Sequence, residues 1–146
     1  VDWSTGWRFP AAVDSPLVWG YDGNSTYGYN ITSDEWGHLF YVSLGNIGVY
    51  DLSGNYAPPG WGLQNTDAFD NLGTHYYWTS TEHSIDPLYA WAFNTYDGNL
   101  TVPAKATFCY GMIVRPGQVS AIPLPGGFWL LVSGLAGLGW LRRVNR

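Results

Sequence analysis

Apolar positions along this 146-residue chain fall into distinct regimes. The opening stretches, WSTGWRFPA and SPLVWGYDGNSTYGYNITSD, mix aromatic, Gly, Asn and Asp residues without a sustained period. The first reads as extended chain running into a turn at Pro10; the second is a long loop, with Gly and Asn available wherever φ must be positive. A helical period follows. Trp36, Leu39, Phe40 and Leu44 share one face, Ser33 stands as the N-cap, Asp34 and Glu35 complement the first turn, and Gly45 can close the last. NIGVYDLSGNYAPPGWGLQNT then reads as a hairpin with Ser-Gly-Asn at its tip. HYYWTSTE, AWAFNTYDGNLTV and ATFCYGMIVRP alternate with a period of two and are predicted strands, with Asp97-Gly98-Asn99 turning the second back on its continuation. The pattern predicts an α+β domain with mostly antiparallel pairing, long loops and one clear helix.

Beyond residue 120 the alternation ends. Residues 121–141 carry no formal charge, and Arg142 and Arg143 follow at once. Twenty-one residues in a helix span about 31 Å, close to the hydrocarbon thickness of a bilayer. Pro123, Pro125, Gly126 and Gly127 favour an extended entry, so residues 120–126 read as a linker and 127–143 as the transmembrane helix. Trp129 and Trp140 stand near its two ends, where indoles prefer the headgroup level. Arg142, Arg143 and Arg146 place residues 144–146 in the cytoplasm by the positive-inside tendency, and residues 1–119 outside it. A buried core helix is the competing reading of so short a run.

Charge divides along the same line. All eleven acidic residues precede Gly117, against Arg8, Lys105 and Arg115. So acidic a domain excludes nucleic acid, whose phosphates demand clustered Lys and Arg, and suits cations, neutral sugars or a basic protein. Aromatics make up 18% of the chain, which favours short strands and structured loops over a helical bundle. The single cysteine, Cys109, excludes an internal disulfide and reads as a small buried hydrophobe.

Two resemblances follow from these landmarks. Ile122-Pro123-Leu124-Pro125-Gly126, an apolar Gly- and Leu-rich run and a terminal arginine cluster resemble, in that order, the C-terminal sorting tails of exosortase-dependent bacterial proteins. In that tail type the signature is Val-Pro-Leu-Pro-Ala, so Gly126 is a mild departure. The resemblance implies a protein exported across a Gram-negative inner membrane and then held in it, or cut from it. Trp7-Arg8-Phe9-Pro10, Glu35 with Leu39, Tyr77-Trp78-Thr79-Ser80-Thr81-Glu82, Ala90-Trp91-Ala92-Phe93 with Asp97-Gly98, and Val114-Arg115-Pro116 resemble the Lcl C-terminal domain family. That family is similar to C-type-lectin-like domains, and the resemblance implies a non-enzymatic envelope binding or adhesion module. Members of that family also carry a strand and helix ahead of this first motif; were that strand missing, an open sheet edge would remain to invite a partner.

The candidate residues each have a plain structural reading. Arg8 and Arg115, in aromatic surroundings, are expected to stack on rings or to pair with a buried carboxylate such as Glu82. Trp19, Tyr21, Tyr27 and Tyr29, with Tyr56 and Trp61 of the hairpin, could stack on a sugar or a protein partner, or form the loops' own small core. Glu82, His83, Asp86, Asp97 and Asn99 offer oxygen ligands for calcium but without EF-hand spacing. His38, on the helix among apolar residues, reads as partly buried; with His75 and His83 it lacks a zinc context. No metal, cofactor or catalytic residue is expected. Asn24, Asn30 and Asn99 open glycosylation sequons but read as turn residues. Ser133 and Gly137 form a small-xxx-small face on the tail, which lets a second helix approach closely. The expected partners are inner-membrane lipid and a glycan or envelope protein. The alternative is an accessory single-pass subunit, packed against integral subunits of a larger photosynthetic or respiratory complex and capping its periplasmic face.

Overall fold

The computed structural model describes residues 6–67 and 69–116. The linker and the tail, with Trp129, Ser133, Gly137, Trp140, Arg142 and Arg143, lie outside the described residues. Among the described residues no helix is long and apolar enough to cross a membrane.

The described residues form one mixed five-stranded sheet and one short helix. In order these are β1 (Trp19–Gly20), β2 (Tyr27–Gly28), α1 (Glu35–Gly37) with a π-helical continuation (His38–Ser43), β3 (Tyr76–Glu82), β4 (Ala90–Asn94) and β5 (Asn99–Thr101). The spatial order is β1-β2-β5-β4-β3, parallel between β1 and β2 and antiparallel elsewhere.

The apolar stripe read from the sequence is the one the helix buries. Trp36, Phe40 and Leu44 are buried and Leu39 packs against the core. Two details differ from expectation. The cap is Asp34 rather than Ser33: the Asp34 carboxylate accepts the Gly37 N–H at 2.9 Å. His38 is exposed, because the chain passes into a wider turn there, closed by Leu44 N–H donating to the Leu39 carbonyl five residues back. Gly37 has a physical reason. A Cβ there would stand 1.9 Å from the Ile31 carbonyl oxygen, so only glycine lets the helix start so close to the preceding loop.

Aromatic rings build the core. Trp36 stacks parallel to Phe93 at 6.1 Å and tilts against Tyr77 at 4.7 Å, while Phe40 meets Phe93 at 5.4 Å. Tyr77 and Phe93 are cross-strand partners, so one register places both on the helix-covered face. Every residue of β4 is buried, as befits a central strand covered on both faces.

ATFCYGMIVRP does not form a strand. It touches β3 through a parallel bridge at Tyr110 and then pairs antiparallel with the N-terminal run at Arg8 and Val114. Cys109 is half-buried rather than buried. The outer edge of β3 is bonded in part. Trp78 N–H donates to the Tyr110 carbonyl and Ser80 N–H to the Pro10 carbonyl, at 2.9 and 2.8 Å.

Candidate functional site: an aromatic platform on paired loops

The stretch expected to be plain loop contains β1 and β2, and their pairing depends on one glycine. Gly28 has φ +115°, and a Cβ on it would lie 2.1 Å from the Gly20 carbonyl oxygen. That close approach lets Tyr29 N–H bond the same oxygen at 2.9 Å. Parallel strands ordinarily need a long crossover. Here six residues suffice, because Asp22 folds the connection: its Oδ1 accepts the Asn24 N–H, the Ser25 N–H and the Ser25 hydroxyl.

Asp51 folds the facing hairpin by the same means, accepting the Ser53 and Asn55 N–H groups, each at 2.9 Å. Tyr50 and Tyr56 bridge at the base of that hairpin. Asn30, at φ 58°, binds the two loops together: its side-chain amide donates to the Tyr21 carbonyl at 2.7 Å and the Tyr50 carbonyl at 2.9 Å. Its backbone N–H donates to the Tyr41 hydroxyl, which donates in turn to the Gly98 carbonyl.

The product is a cluster of rings centred on Tyr50. Tyr29 lies 5.0 Å away, Tyr56 5.4 Å, Tyr21 6.2 Å in a stacked arrangement, and Trp19 6.3 Å edge-on. Tyr29 is buried beneath, whereas Trp19 is 49% and Tyr56 69% exposed. Tyr29 donates a long 3.4 Å bond to Asp97 and receives one from the Asn99 amide. Burial, then the Asp97 charge, pushes the Tyr29 phenol up; burial likewise raises the Asp97 carboxyl.

Of the six aromatic residues named from sequence, the structure gathers Trp19, Tyr21, Tyr29 and Tyr56 here. Tyr27 packs against the core instead. Trp61 stands in a separate open cleft of 510 Å3, edge-on to Tyr96 at 5.4 Å and beside Gln64 and Thr74. Buried Asn46 shapes that cleft by accepting the Gln64 and Asn65 N–H groups and donating to the Asn65 carbonyl. Tyr50, the centre of the platform, escaped the sequence reading. Its signal was its place opposite Tyr56 across the Ser-Gly-Asn tip.

The remaining candidates separate. Arg8 pairs with Glu35 rather than Glu82, through bonds of 2.5 and 2.6 Å. Glu82 is exposed and paired with Lys105. The Arg115 guanidinium lies over the Trp7 ring at 5.6 Å. The oxygen ligands weighed for calcium stand at opposite ends of the β3–β4 ladder. Glu82 faces Ala90 at one end, while Asn94 leads into the Asp97 turn at the other. Among the described residues no three His, Cys, Asp or Glu side chains gather closely enough to hold a metal ion.

Searches of protein-family models, of curated proteins and of solved structures find no match to this chain. Chemically, the platform offers flat apolar rings held rigid by neutral hydrogen bonds, flanked by two carboxylate-folded turns. Such a surface has the geometry to stack on the flat face of a ligand.

Proposed function

We propose that the chain is a non-enzymatic binding module of the C-type-lectin-like kind, tethered to a bacterial inner membrane by residues 127–143 and facing the periplasm. Its ligand is a neutral glycan, stacked on the rings around Tyr50. The observation that carries this reading is the exposure of Trp19 and Tyr56 on a ring cluster whose backbone is already pinned by Asn30. Rings ordered before binding lose little entropy on contact, which is what a shallow sugar site needs. Acidic turns on both sides disfavour anionic polymers.

The Lcl-type and sorting-tail resemblances support the same reading. The landmark residues Arg8, Pro10, Glu35, Ser80, Val114 and Arg115 meet in one structural clasp, so they stabilise the scaffold and leave the loops for recognition.

The test is a glycan array probed with the full chain in detergent, followed by titration calorimetry on any hit. Binding of a neutral glycan is expected, weakened at least about tenfold by Trp19→Ala or Tyr56→Ala, the loss of about 1.4 kcal/mol that stacked rings commonly supply. An array without hits, or hits indifferent to both substitutions, removes the glycan reading. A hit confined to envelope proteins retained on a column of the same chain moves the proposal to a protein ligand.

A further inference from the structure

The Asp97–Gly98 turn between β4 and β5 links the platform to the Trp61 cleft. At residue 97 it receives the Tyr29 hydroxyl of the platform; at residue 96 the Tyr96 ring closes the 510 Å3 cleft, edge-on to Trp61. Residues 47–50 are held to this turn, with Val49 N–H donating to the Asp97 carbonyl at 2.8 Å. They pair in turn with residues 56–62. Tyr50 bridges Tyr56 in the platform, and Ile47 bridges Trp61 in the cleft. One ribbon thus carries a ring of each site. Tyr56 and Trp61 are five residues apart, so their backbones stand no farther apart than about 18 Å even with that connection fully extended.

The cleft is held as firmly as the platform. Gly62, at φ +87°, lays its backbone against the Tyr96 carbonyl, where a Cβ would stand 2.9 Å from the oxygen. The Gly62 N–H bonds the Ile47 carbonyl at 2.7 Å. Buried Asn46 uses both ends of its side-chain amide on Gln64 and Asn65 beside it. The Gln64 side chain donates to the Trp61 carbonyl at 3.1 Å; its Oε1 and the Thr74 hydroxyl bond no described residue. Trp61 is half-buried and Tyr96 is 56% exposed. Among the described residues none that lines the cleft carries a charge. Two rings at right angles, with an amide oxygen and a hydroxyl beside them, match a pyranose, which offers an apolar C–H face to stack and hydroxyls at its rim to bond.

We infer that the Trp61–Tyr96 cleft is a second saccharide subsite, and that the ligand is a neutral oligosaccharide long enough to lie along residues 56–61 and reach both. The inference rests on the glycan reading of the platform and adds to it the length of the ligand and a second set of contacts. Two weak subsites on one rigid ribbon act together on a linked ligand, because the second contact is made without a further loss of translational freedom. A disaccharide on the platform gains nothing from the cleft, whereas a longer chain does.

The experiment titrates the full chain, in a detergent without a sugar headgroup, with cello-, malto- and chito-oligosaccharides of two and of six units. In at least one series the hexaose is expected to bind at least about tenfold more tightly than the biose. Trp61→Ala, Gln64→Ala and Tyr56→Ala, made separately, are each expected to remove most of that gain. Near-ultraviolet circular dichroism checks each fold. Gln64 is exposed and keeps its backbone bond to Asn46 in the variant, so it reports on the cleft even where Trp61→Ala unfolds. A hexaose no tighter than its biose, or one indifferent to Trp61→Ala and Gln64→Ala, overturns the cleft and leaves the platform standing. A hexaose sensitive to Trp61→Ala but not to Tyr56→Ala overturns the platform reading and with it the shared ligand. Absence of binding at both lengths in every series overturns both.

Discussion

The Arg8 guanidinium grips the Glu35 carboxylate through two bonds, and the same carboxylate accepts the Ala11 N–H at 2.7 Å. One side chain at the head of α1 thereby fixes the N-terminal run, which in turn pairs with Val114. The Arg8 bond foremost, then the Ala11 N–H, holds the Glu35 carboxyl down at about 2. A depressed carboxyl contributes stability that is present above its ordinary 4.5 and lost as pH falls through about 2. Both side chains are more than two-fifths exposed, so solvent screens the pair. Glu35→Gln is expected to lower the melting temperature by about 4 °C near neutrality and by less near pH 2. A melt showing equal loss at both pH values refutes this linkage.

Asp34 works in the opposite sense. Its Oδ1 caps Gly37 while Oδ2 is buried without a partner among the described residues. Burial outweighs the helix amides and pushes the carboxyl up to about 6. A raised carboxyl contributes stability that is full below the ordinary 3.8 and lost as pH rises through about 6. The chain is therefore expected to melt higher at about pH 5 than at about pH 7.5. Asp34→Asn keeps an acceptor for Gly37 and should stabilise the chain by about 1–3 kcal/mol at the higher pH, flattening the difference. Asp97, also raised by burial, retains a smaller slope. An unchanged slope in the variant would show that another group sets it.

Asn30→Ala removes two bonds between the loops and leaves alanine at φ 58°. Roughly 1 kcal/mol per bond and a further 1 or so for the backbone predict a loss of about 2–3 kcal/mol in denaturant unfolding. Asn30→Gly relieves only the backbone part and should recover about a third of the loss. Full recovery would show that the bonds contribute nothing.

Gly28→Ala collides with the Gly20 carbonyl in a backbone conformation that L residues rarely adopt. The expected result is separation of β1 from β2, a melting temperature lowered by more than about 10 °C, and loss of glycan binding even with Trp19 and Tyr56 intact. Native-like binding in this variant would show that the β1–β2 pair does not support the platform.

Ser133→Leu with Gly137→Leu separates the tether from its rival. A plain anchor tolerates both, and the chain in detergent should sediment unchanged as a monomer or small homo-oligomer. Release from a much larger assembly would instead establish an accessory subunit, whose helix packs through that small-residue face.

What local pattern carried, it carried well. The stripe of Trp36, Phe40 and Leu44 buries as its spacing demands, and HYYWTSTE and AWAFN become β3 and β4, because period and burial are properties of neighbours in the chain. The turn at Asp97-Gly98 was legible for the same reason, with Gly98 at φ 81°. The cap slipped by one residue, since Ser33 and Asp34 are both good caps and only the fit of Gly37 against Ile31 chooses between them. ATFCYGMIVRP alternates like a strand yet pairs at two points only, because it leaves β3 to meet Arg8.

The aromatic residues that could form a site were visible as residue types, and the chain's acidity and uncharged C-terminal run were visible outright. Which rings meet was not. Tyr50, Tyr56, Trp19 and Tyr29 come from separate loops, brought together by a glycine that admits a carbonyl and an asparagine that bonds two strangers in sequence. The same holds for Glu35 choosing Arg8 over any nearer partner. Composition and period are summed along the chain, whereas a binding surface is made by contacts across it, and those exist only once the core around Trp36 and Phe93 has set the distances.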